Sequence, residues 1–206
     1  MSRERKGRED GTGILLLPAR GTIPSLDVSG LFERPAPLEV DLGCGKGRFL
    51  LSRARRLGEA NFLGVDRNLR RLAKLNQRLL DARLTNVRLI HTDAMVFLEQ
   101  TLPAAGVAAF YIFFPDPWPK RRHHRRRLVS APFAQSIHRA LQVGGRIYLA
   151  TDHREYFEWI RAHFQAQSRF EPIAPFCHQA DECTDFELKF LKTHAPICRC
   201  AFRKIA

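Results

Sequence analysis

The sequence predicts an α/β fold with a mainly parallel, doubly wound sheet and an antiparallel strand at one edge. Short apolar runs alternate with segments of helical periodicity along most of the chain, which is typical of parallel strands joined by crossover helices. Several of these runs are apolar almost throughout, as expected for strands that are covered on both faces. The 206 residues and the 45% apolar content fit one domain with a single core.

The predicted elements follow one another regularly from residue 38 onward. Apolar runs predict strands over 38–42, 61–66, 87–93, 107–114 and 146–152. The segments between and after these runs predict helices over 46–57, 69–83, 94–101, 130–141 and 154–167. The closing segment 196–205 alternates apolar and polar residues, which predicts a last strand, antiparallel and at an edge.

Residues 1–37 differ from the rest because they mix glycine, proline and charge with one short apolar patch. We expect a basic N-terminal arm that is partly ordered, followed by a folded domain over 38–206. No apolar stretch approaches the roughly 20 residues that cross a bilayer, so we expect a soluble, cytoplasmic protein with no membrane partner. The sequence implies no obligate protein partner and leaves monomer and homodimer open.

The charge balance predicts a polyanionic partner. The chain has 34 lysines and arginines against 21 acids, a formal net charge of +13. Such an excess is typical of nucleic-acid binding and less often of contact with an anionic membrane surface. Charge alone does not choose between the two.

The first strand leads into a glycine-rich loop that predicts a nucleoside cofactor. Asp41 precedes glycines at 43, 45 and 47 (Gly43, Gly45, Gly47), which let a strand turn sharply into a helix and approach a ligand closely. Arg48 stands where the dinucleotide fingerprint requires its third glycine. The spacing acid-x-G-x-G-x-G is similar to that of S-adenosylmethionine-dependent methyltransferases, whose cofactor has no pyrophosphate. The alternative is a tight turn without a ligand.

Two further acids stand at the ends of the next two strands. Asp66 ends the second strand, where a carboxylate can accept hydrogen bonds from both ribose hydroxyls. Asp93 ends the third strand and could face an adenine amino group. Ligands of open parallel sheets bind outside the carboxyl ends of the strands, so the three acids predict one cofactor site. Helix capping is the alternative role for each.

The segment FFPDPWPKRRHHRRR over 113–127 predicts a catalytic turn followed by a nucleic-acid contact. Asp116 lies between two prolines that restrict the backbone on both sides. Trp118 offers a face on which a base can stack. The basic residues behind it would contact phosphates, although most basic runs are solvated loops. This contact set comprises Arg122, His123, His124, Arg125, Arg126 and Arg127.

This segment, together with T-D-H from Thr151 and T-D-F-E-L-K over 184–189, resembles the bacterial tRNA (guanine-N7-)-methyltransferase family. The resemblance runs from about Leu38 to Lys204 and implies a Rossmann-like class I methyltransferase. It implies methyl transfer from S-adenosyl-L-methionine to N7 of a tRNA guanine, position 46 by tRNA convention. It also implies that Asp41, Asp66 and Asp93 contact the cofactor and that Asp116 serves cofactor and catalysis. The implied substrate-binding residues are Lys120, Asp152, Thr184, Asp185, Phe186 and Glu187.

The cysteines predict no metal site. The spacings C-x₅-C and C-x-C differ from the C-x₂₋₄-C spacing of structural zinc sites. The chain has five cysteines, an odd number, and reduced thiols are the expectation for an intracellular protein. The first spacing is that of Cys177 and Cys183, and the second is that of Cys198 and Cys200.

Two other functions remain open from the sequence. A methyltransferase that acts on a protein or a small amine would keep the cofactor loop, but it would leave the basic segment unexplained. A non-catalytic RNA-binding protein could keep the fold, but it would not need Asp41, Asp66 and Asp116.

Overall fold

The computed structural model describes residues 30–206 in full, together with the backbone of residue 29 and of the segments 8–9 and 14–16. The strands in these residues are β1 (Arg8–Glu9), β2 (Ile14–Leu16), β3 (Leu38–Leu42), β4 (Asn61–Asp66), β5 (Val87–His91), β6 (Val107–Phe113), β7 (Leu141–Thr151), β8 (Phe170–Ile173) and β9 (Cys198–Lys204). They form one sheet in the order β1-β2-β5-β4-β3-β6-β7-β9-β8.

Helices connect most of the strands. They are α1 (Arg48–Arg56), α2 (Leu69–Asp81), α3 (Ala94–Val96), α4 (Ala131–Ala140), α5 (Arg154–Gln165) and α6 (Asp185–Lys192). The predicted helix over 94–101 divides into short α3 and a π-helical turn, Phe97–Thr101. No helix among the described residues is long and apolar enough to cross a membrane.

The sheet confirms the predicted fold class. The strands β5, β4, β3, β6 and β7 are parallel neighbours, and β9 runs antiparallel to β7. The antiparallel direction of the last strand is therefore confirmed, but β9 is not the outermost strand. The short strand β8, which the sequence did not predict, pairs outside it.

The carboxyl ends of the five parallel strands meet at one edge, where the sequence predicted the site. Strand β4 is buried along its whole length, and β3 is buried at all but one residue. These two strands therefore hold the middle of this edge in place. The aromatic core includes Phe110, Phe133 and Phe164, none of which is exposed. Most of the predicted arm over 1–37 lies outside the described residues, and its boundary stays a prediction; its segment β2 pairs in parallel with β5.

Candidate active site at the carboxyl edge of the sheet

The loop between β3 and α1 needs glycine for two different reasons. Gly45 has φ of 57°, in the left-handed region that favours glycine. Gly47 has φ of 71°, and a Cβ there would lie 2.3 Å from the side chain of Leu75 on α2. A side chain at 47 would therefore clash with the side chain of Leu75, which would have to shift. The predicted strand-to-helix turn is present at this loop.

Asp66 holds this loop against the end of β4. One carboxylate oxygen accepts a hydrogen bond from the backbone N–H of Gly45 at 2.9 Å, and the other accepts from Asn68 at 2.7 Å. The residue is 8% exposed. Each oxygen has a second lone pair for a ligand, so Asp66 can fix the loop and still accept from a hydroxyl.

A cavity of about 270 Å³ opens between this loop and the start of α6. It brings together residues from both ends of the domain that the sequence had assigned to cofactor and substrate. Its lining comprises Asp41, Gly43, Cys44, Gly45, Lys46, Gly47, Arg48, Phe49, Arg71, Phe113, Thr184, Asp185, Phe186 and Lys189.

Asp41 gives this cavity an unusual acid. The residue is 5% exposed, and no hydrogen bond from residues 30–206 reaches its carboxyl group. Burial, and then the nearby charge of Asp66, raise the pKa of Asp41 from 3.8 to about 8. A carboxyl group in this state favours a cationic ligand, because a positive charge would replace the solvation that burial removed.

Three more predicted acids lie at the same edge but are exposed. Asp93 follows β5 and caps α3, accepting from the backbone N–H of Met95 at 2.8 Å. Asp116 follows β6, with its side chain 68% exposed and 3.6 Å from the guanidinium of Arg67. Asp152 follows β7 and is exposed. None of the three lines the 270 Å³ cavity.

The turn that presents Asp116 has an unusual backbone. Phe114 and Trp118, on either side of the Pro-Asp-Pro segment, have φ of 55° and 42°. The backbone N–H of Phe114 donates to Ala150 of β7 at 2.8 Å, which anchors the turn to the sheet. Non-glycine residues rarely adopt positive φ, and such strain clusters at functional sites. The predicted stiff turn is therefore present.

The basic segment divides into exposed and buried side chains. It forms a 3-10 helix over Arg121–Arg126, in which Arg122, Arg125 and Arg126 are exposed. The guanidinium of Arg126 lies 5.0 Å from the ring centre of Trp118 and so covers one face of the predicted base platform.

The prediction that Arg127 binds RNA is wrong. Its side chain is fully buried and donates to the carbonyl of Pro117 and to Glu155, at 2.9 and 3.0 Å. It also lies 5.1 Å from the ring centre of Trp159 on α5. His124 is mostly covered as well, with Nε2 buried 3.5 Å from Glu155. Both residues fix the turn to α5, where no phosphate can reach Arg127.

The start of α6 brings the predicted substrate loop to the cavity. Thr184 caps the helix by accepting from the backbone N–H of Glu187, whose carboxylate accepts from the N–H of Thr184 in return. Glu187 is 2% exposed, and its other oxygen accepts from Arg199 at 2.9 Å. Glu187 therefore positions this loop through buried hydrogen bonds. Phe186, in contrast, is 52% exposed beside the cavity.

Several lining residues had not been predicted. Lys189 was part of the quoted T-D-F-E-L-K segment, and its position one turn after Asp185 could have indicated that both reach the cavity. Phe49 and Phe113 form an apolar wall, with ring centres 4.9 Å apart. Sequence spacing gave no signal for this wall because the two residues come from different elements.

One side-chain trio has the composition of a metal site. Atoms of His178, Cys183 and Glu187 lie within 4.8 Å of one another. Both oxygens of Glu187 already accept hydrogen bonds, one of them from the cationic Arg199. We therefore interpret the trio as the packing that holds the loop, and we assign no metal to it.

Comparisons with known proteins identify a family and a fold. A family model described as "Putative methyltransferase" matches residues 35–200. A tRNA (guanine-N(7)-)-methyltransferase of Nitrosococcus oceani is 39% identical over 153 residues, 74% of this chain and 64% of that protein. One of Thiobacillus denitrificans is 38% identical over 174 residues, 82% of this chain and 77% of that protein.

The matched part of the chain thus spans 64% and 77% of the length of these two relatives. A solved structure titled 16S rRNA methyltransferase KamB has a TM-score of 0.66 at 13% identity, covering 91% of this chain and 98% of that chain, which supports the Rossmann-like fold alone. The family match extends from before β3 into β9 and includes the glycine loop, the Pro-Asp-Pro turn and the start of α6. The chain therefore belongs to this methyltransferase family.

Proposed function

We propose that the protein transfers a methyl group from S-adenosyl-L-methionine to N7 of a guanine in tRNA, at position 46 of the variable loop, giving 7-methylguanosine. The carrying observation is the pairing of two acids at the same sheet edge: one is buried in a cavity with no hydrogen bond from residues 30–206, and the other is exposed on a stiff turn. The names of the relatives support tRNA as the substrate. A tRNA substrate implies that the protein works in the cytoplasm.

The acids in and beside the cavity support the proposed cofactor. S-adenosylmethionine has a cationic sulfonium, which supplies the methyl group, and a cationic amino group. Asp41 would face one of these charges, which favours its ionised form and lowers its pKa from about 8. Asp66 would accept from the ribose hydroxyls while it holds Gly45, and Asp93 would accept from the adenine amino group through its uncapped oxygen.

Methylation of guanine N7 requires alignment rather than a strong base. The N7 lone pair forms the new N–C bond while the electrons of the S–C bond return to sulfur, so no proton leaves in this step. Holding the reacting atoms in line can contribute roughly 7 to 11 kcal/mol. Asp116 and Asp152 would accept hydrogen bonds from the guanine N1–H and amino group. Their charges would also stabilise the positive charge that develops on the ring.

The remaining predicted residues would hold the RNA around this base. Thr184, Asp185 and Phe186 border the cavity from α6, with Glu187 fixing their backbone. Lys120, Arg122, Arg125 and Arg126 are exposed on the basic turn, where His123 is half-buried, and all five would contact phosphates. The two sets have separate tasks, because acids contact the base and cations contact its backbone.

The test uses a tRNA in which only the reacting nitrogen is removed. Labelled S-adenosylmethionine is incubated with the protein and a tRNA containing guanosine or 7-deazaguanosine at position 46. The deaza base keeps the Watson–Crick edge and lacks the N7 lone pair. We expect label in 7-methylguanosine with the first tRNA and none with the second. Equal labelling of both would contradict the proposal.

The same assay separates the two other functions. Label in bulk protein or small amines, with none in tRNA, would indicate a protein or amine methyltransferase. Saturable tRNA binding without bound cofactor or transferred label would indicate a non-catalytic RNA-binding protein. Either result would contradict the proposed reaction.

A further inference from the structure

A second basic surface lies on helix α2, outside the basic turn that the sequence singled out. A cavity of about 340 Å³ is lined by five cationic side chains and one asparagine. We call the five cations the α2 basic cluster. They are Lys46, Arg70, Arg71, Lys74 and Arg78.

Helix α2 has one apolar face and one basic face. Leu72, Leu75 and Leu79 are buried against the sheet, and the exposed face has arginine or lysine at 70, 71, 74 and 78. The segment 67–80 contains no acid. Arg70 and Lys74, and likewise Lys74 and Arg78, are four residues apart, a spacing at which like charges destabilise a helix. The chain therefore has charges here that weaken its own helix.

Several other cations of the protein have anionic partners. Arg53 lies 3.3 Å from Glu39, and Arg127 lies 3.0 Å from Glu155. Within residues 30–206, no carboxylate forms an ion pair with Arg70, Arg71 or Lys74, and all three are exposed. Among the described residues, no carboxylate therefore neutralises these three exposed side chains.

The position of the cluster connects it to the candidate active site. Helix α2 follows β4, the basic turn follows β6, and β3 with its glycine loop lies between these strands. Lys46 and Arg71 line both the basic cavity and the 270 Å³ cavity. Arg67, just before α2, lies 3.6 Å from Asp116. Cations therefore flank the site on both sides.

We propose that the α2 basic cluster is a second phosphate-binding surface for tRNA, which contacts the backbone on the opposite side of the methylated base from the basic turn. This inference rests on the proposed function only in taking tRNA as the ligand. The row from Arg70 to Arg78 extends about 12 Å along the helix, at 1.5 Å per residue. Such a row suits several successive phosphates rather than one small anion.

The test compares two pairs of substitutions with the same loss of charge. Arg70→Gln with Lys74→Gln removes two cations of the cluster, neither of which lines the 270 Å³ cavity. Arg55→Gln with Arg146→Gln removes two exposed cations near the amino edge of the sheet. Filter binding of one tRNA is measured at several salt concentrations, with thermal unfolding as the check that both variants fold.

We expect the cluster variant to make the slope of log affinity against log salt shallower by about 1.4 to 1.8, at 0.7 to 0.9 per phosphate contact. The control should keep the slope of the parent, and cofactor affinity should stay the same in both. An unchanged slope in the cluster variant, or an equal change in the control, would overturn the proposal. Saturable binding of inorganic phosphate that only the cluster variant loses, with the tRNA slope unchanged, would assign the cluster to a small anion instead.

Failure here is distinguishable from failure of the proposed reaction. The binding measurement needs no methyl transfer, so a shallower slope would support the surface even if N7 were not methylated. Conversely, the parent protein could methylate N7 while both variants keep its salt slope of tRNA binding. That result would contradict the proposed phosphate-binding surface and leave the proposed reaction intact.

Discussion

Two pairs of aspartates at the same sheet edge differ in their surroundings. Asp41 and Asp66 are 5% and 8% exposed and lie within or against the glycine loop, whereas Asp116 and Asp152 are exposed. The buried pair belongs to strands at the centre of the sheet, so the fold alone fixes it. The exposed pair follows the ends of β6 and β7, and only a bound base would remove water from it. Under the proposed function, the buried pair would form a preorganised cofactor side and the exposed pair a substrate side that the RNA completes.

The largest expected effect is on the exposed side. Asp116→Asn keeps the shape and removes the charge, so we expect methyl transfer to fall on the order of 100-fold, as when one group that stabilises developing charge is lost. The affinity for tRNA should change by less than about threefold, because phosphates dominate binding. Single-turnover rates and filter binding measure the two quantities. Equal losses in both would mean that Asp116 only maintains the turn.

Next in size is the effect on the buried side. Asp66→Ala should weaken S-adenosylmethionine binding by about 1.5 to 3 kcal/mol, typical of hydrogen bonds to a charged group. Asp66→Asn is the matched control, since its amide oxygen can still accept from the N–H of Gly45 or Asn68. Calorimetry should give an intermediate affinity for it. Unchanged affinity in the alanine variant would remove Asp66 from the cofactor site.

The basic turn repeats the contrast between buried and exposed groups. Arg122, Arg125 and Arg126, all changed to Gln, should make the salt slope of tRNA binding shallower by about 2 to 3, with little change in stability. Arg127→Gln should lower the unfolding free energy by about 1 to 3 kcal/mol, because the buried guanidinium of Arg127 makes hydrogen bonds to Pro117 and Glu155 that the variant loses. Salt titrations and thermal unfolding of both variants test this. A slope that depends on Arg127 alone would reverse the assignment.

The smallest effect concerns the pH dependence of stability. The pKa of Asp41 is about 8 in the folded protein and 3.8 ordinarily. The free energy that the protonated side chain contributes to folding is therefore fully present below pH 4 and is lost as pH rises through 8. Asp41→Asn removes that loss. The variant's Tm relative to the parent should rise by about 3 °C or more from pH 5 to pH 9, equivalent to about 1 kcal/mol. A difference independent of pH would contradict the buried acid.

The central strands could be predicted from the sequence because their signals are local. The bounds of β3 and β4 agree with the prediction, since each is a short apolar run that ends at a turn. Strand β8 was missed because it has four residues and contains Pro172, which reads against a strand. Proline is tolerated there because β8 lies at the edge of the sheet.

The site was only partly predictable because burial depends on distant elements. Nothing local distinguishes Arg127 from Arg126, and its burial follows from Tyr156 and Trp159 on α5. The capping role of Glu187 could have been predicted, because T-x-x-E is a capping-box pattern. The family resemblance instead implied that Glu187 binds the substrate.

The most direct test of the contrast compares four single variants, Asp41→Asn, Asp66→Asn, Asp116→Asn and Asp152→Asn. Calorimetry without tRNA gives the dissociation constant of S-adenosylmethionine, and single-turnover transfer with both ligands saturating gives the rate. We predict that the first two variants raise the dissociation constant and leave the saturated rate within about threefold, while the last two lower the rate and leave the dissociation constant unchanged. If all four variants change both quantities alike, the cofactor and substrate sides are not separate, and the account is wrong.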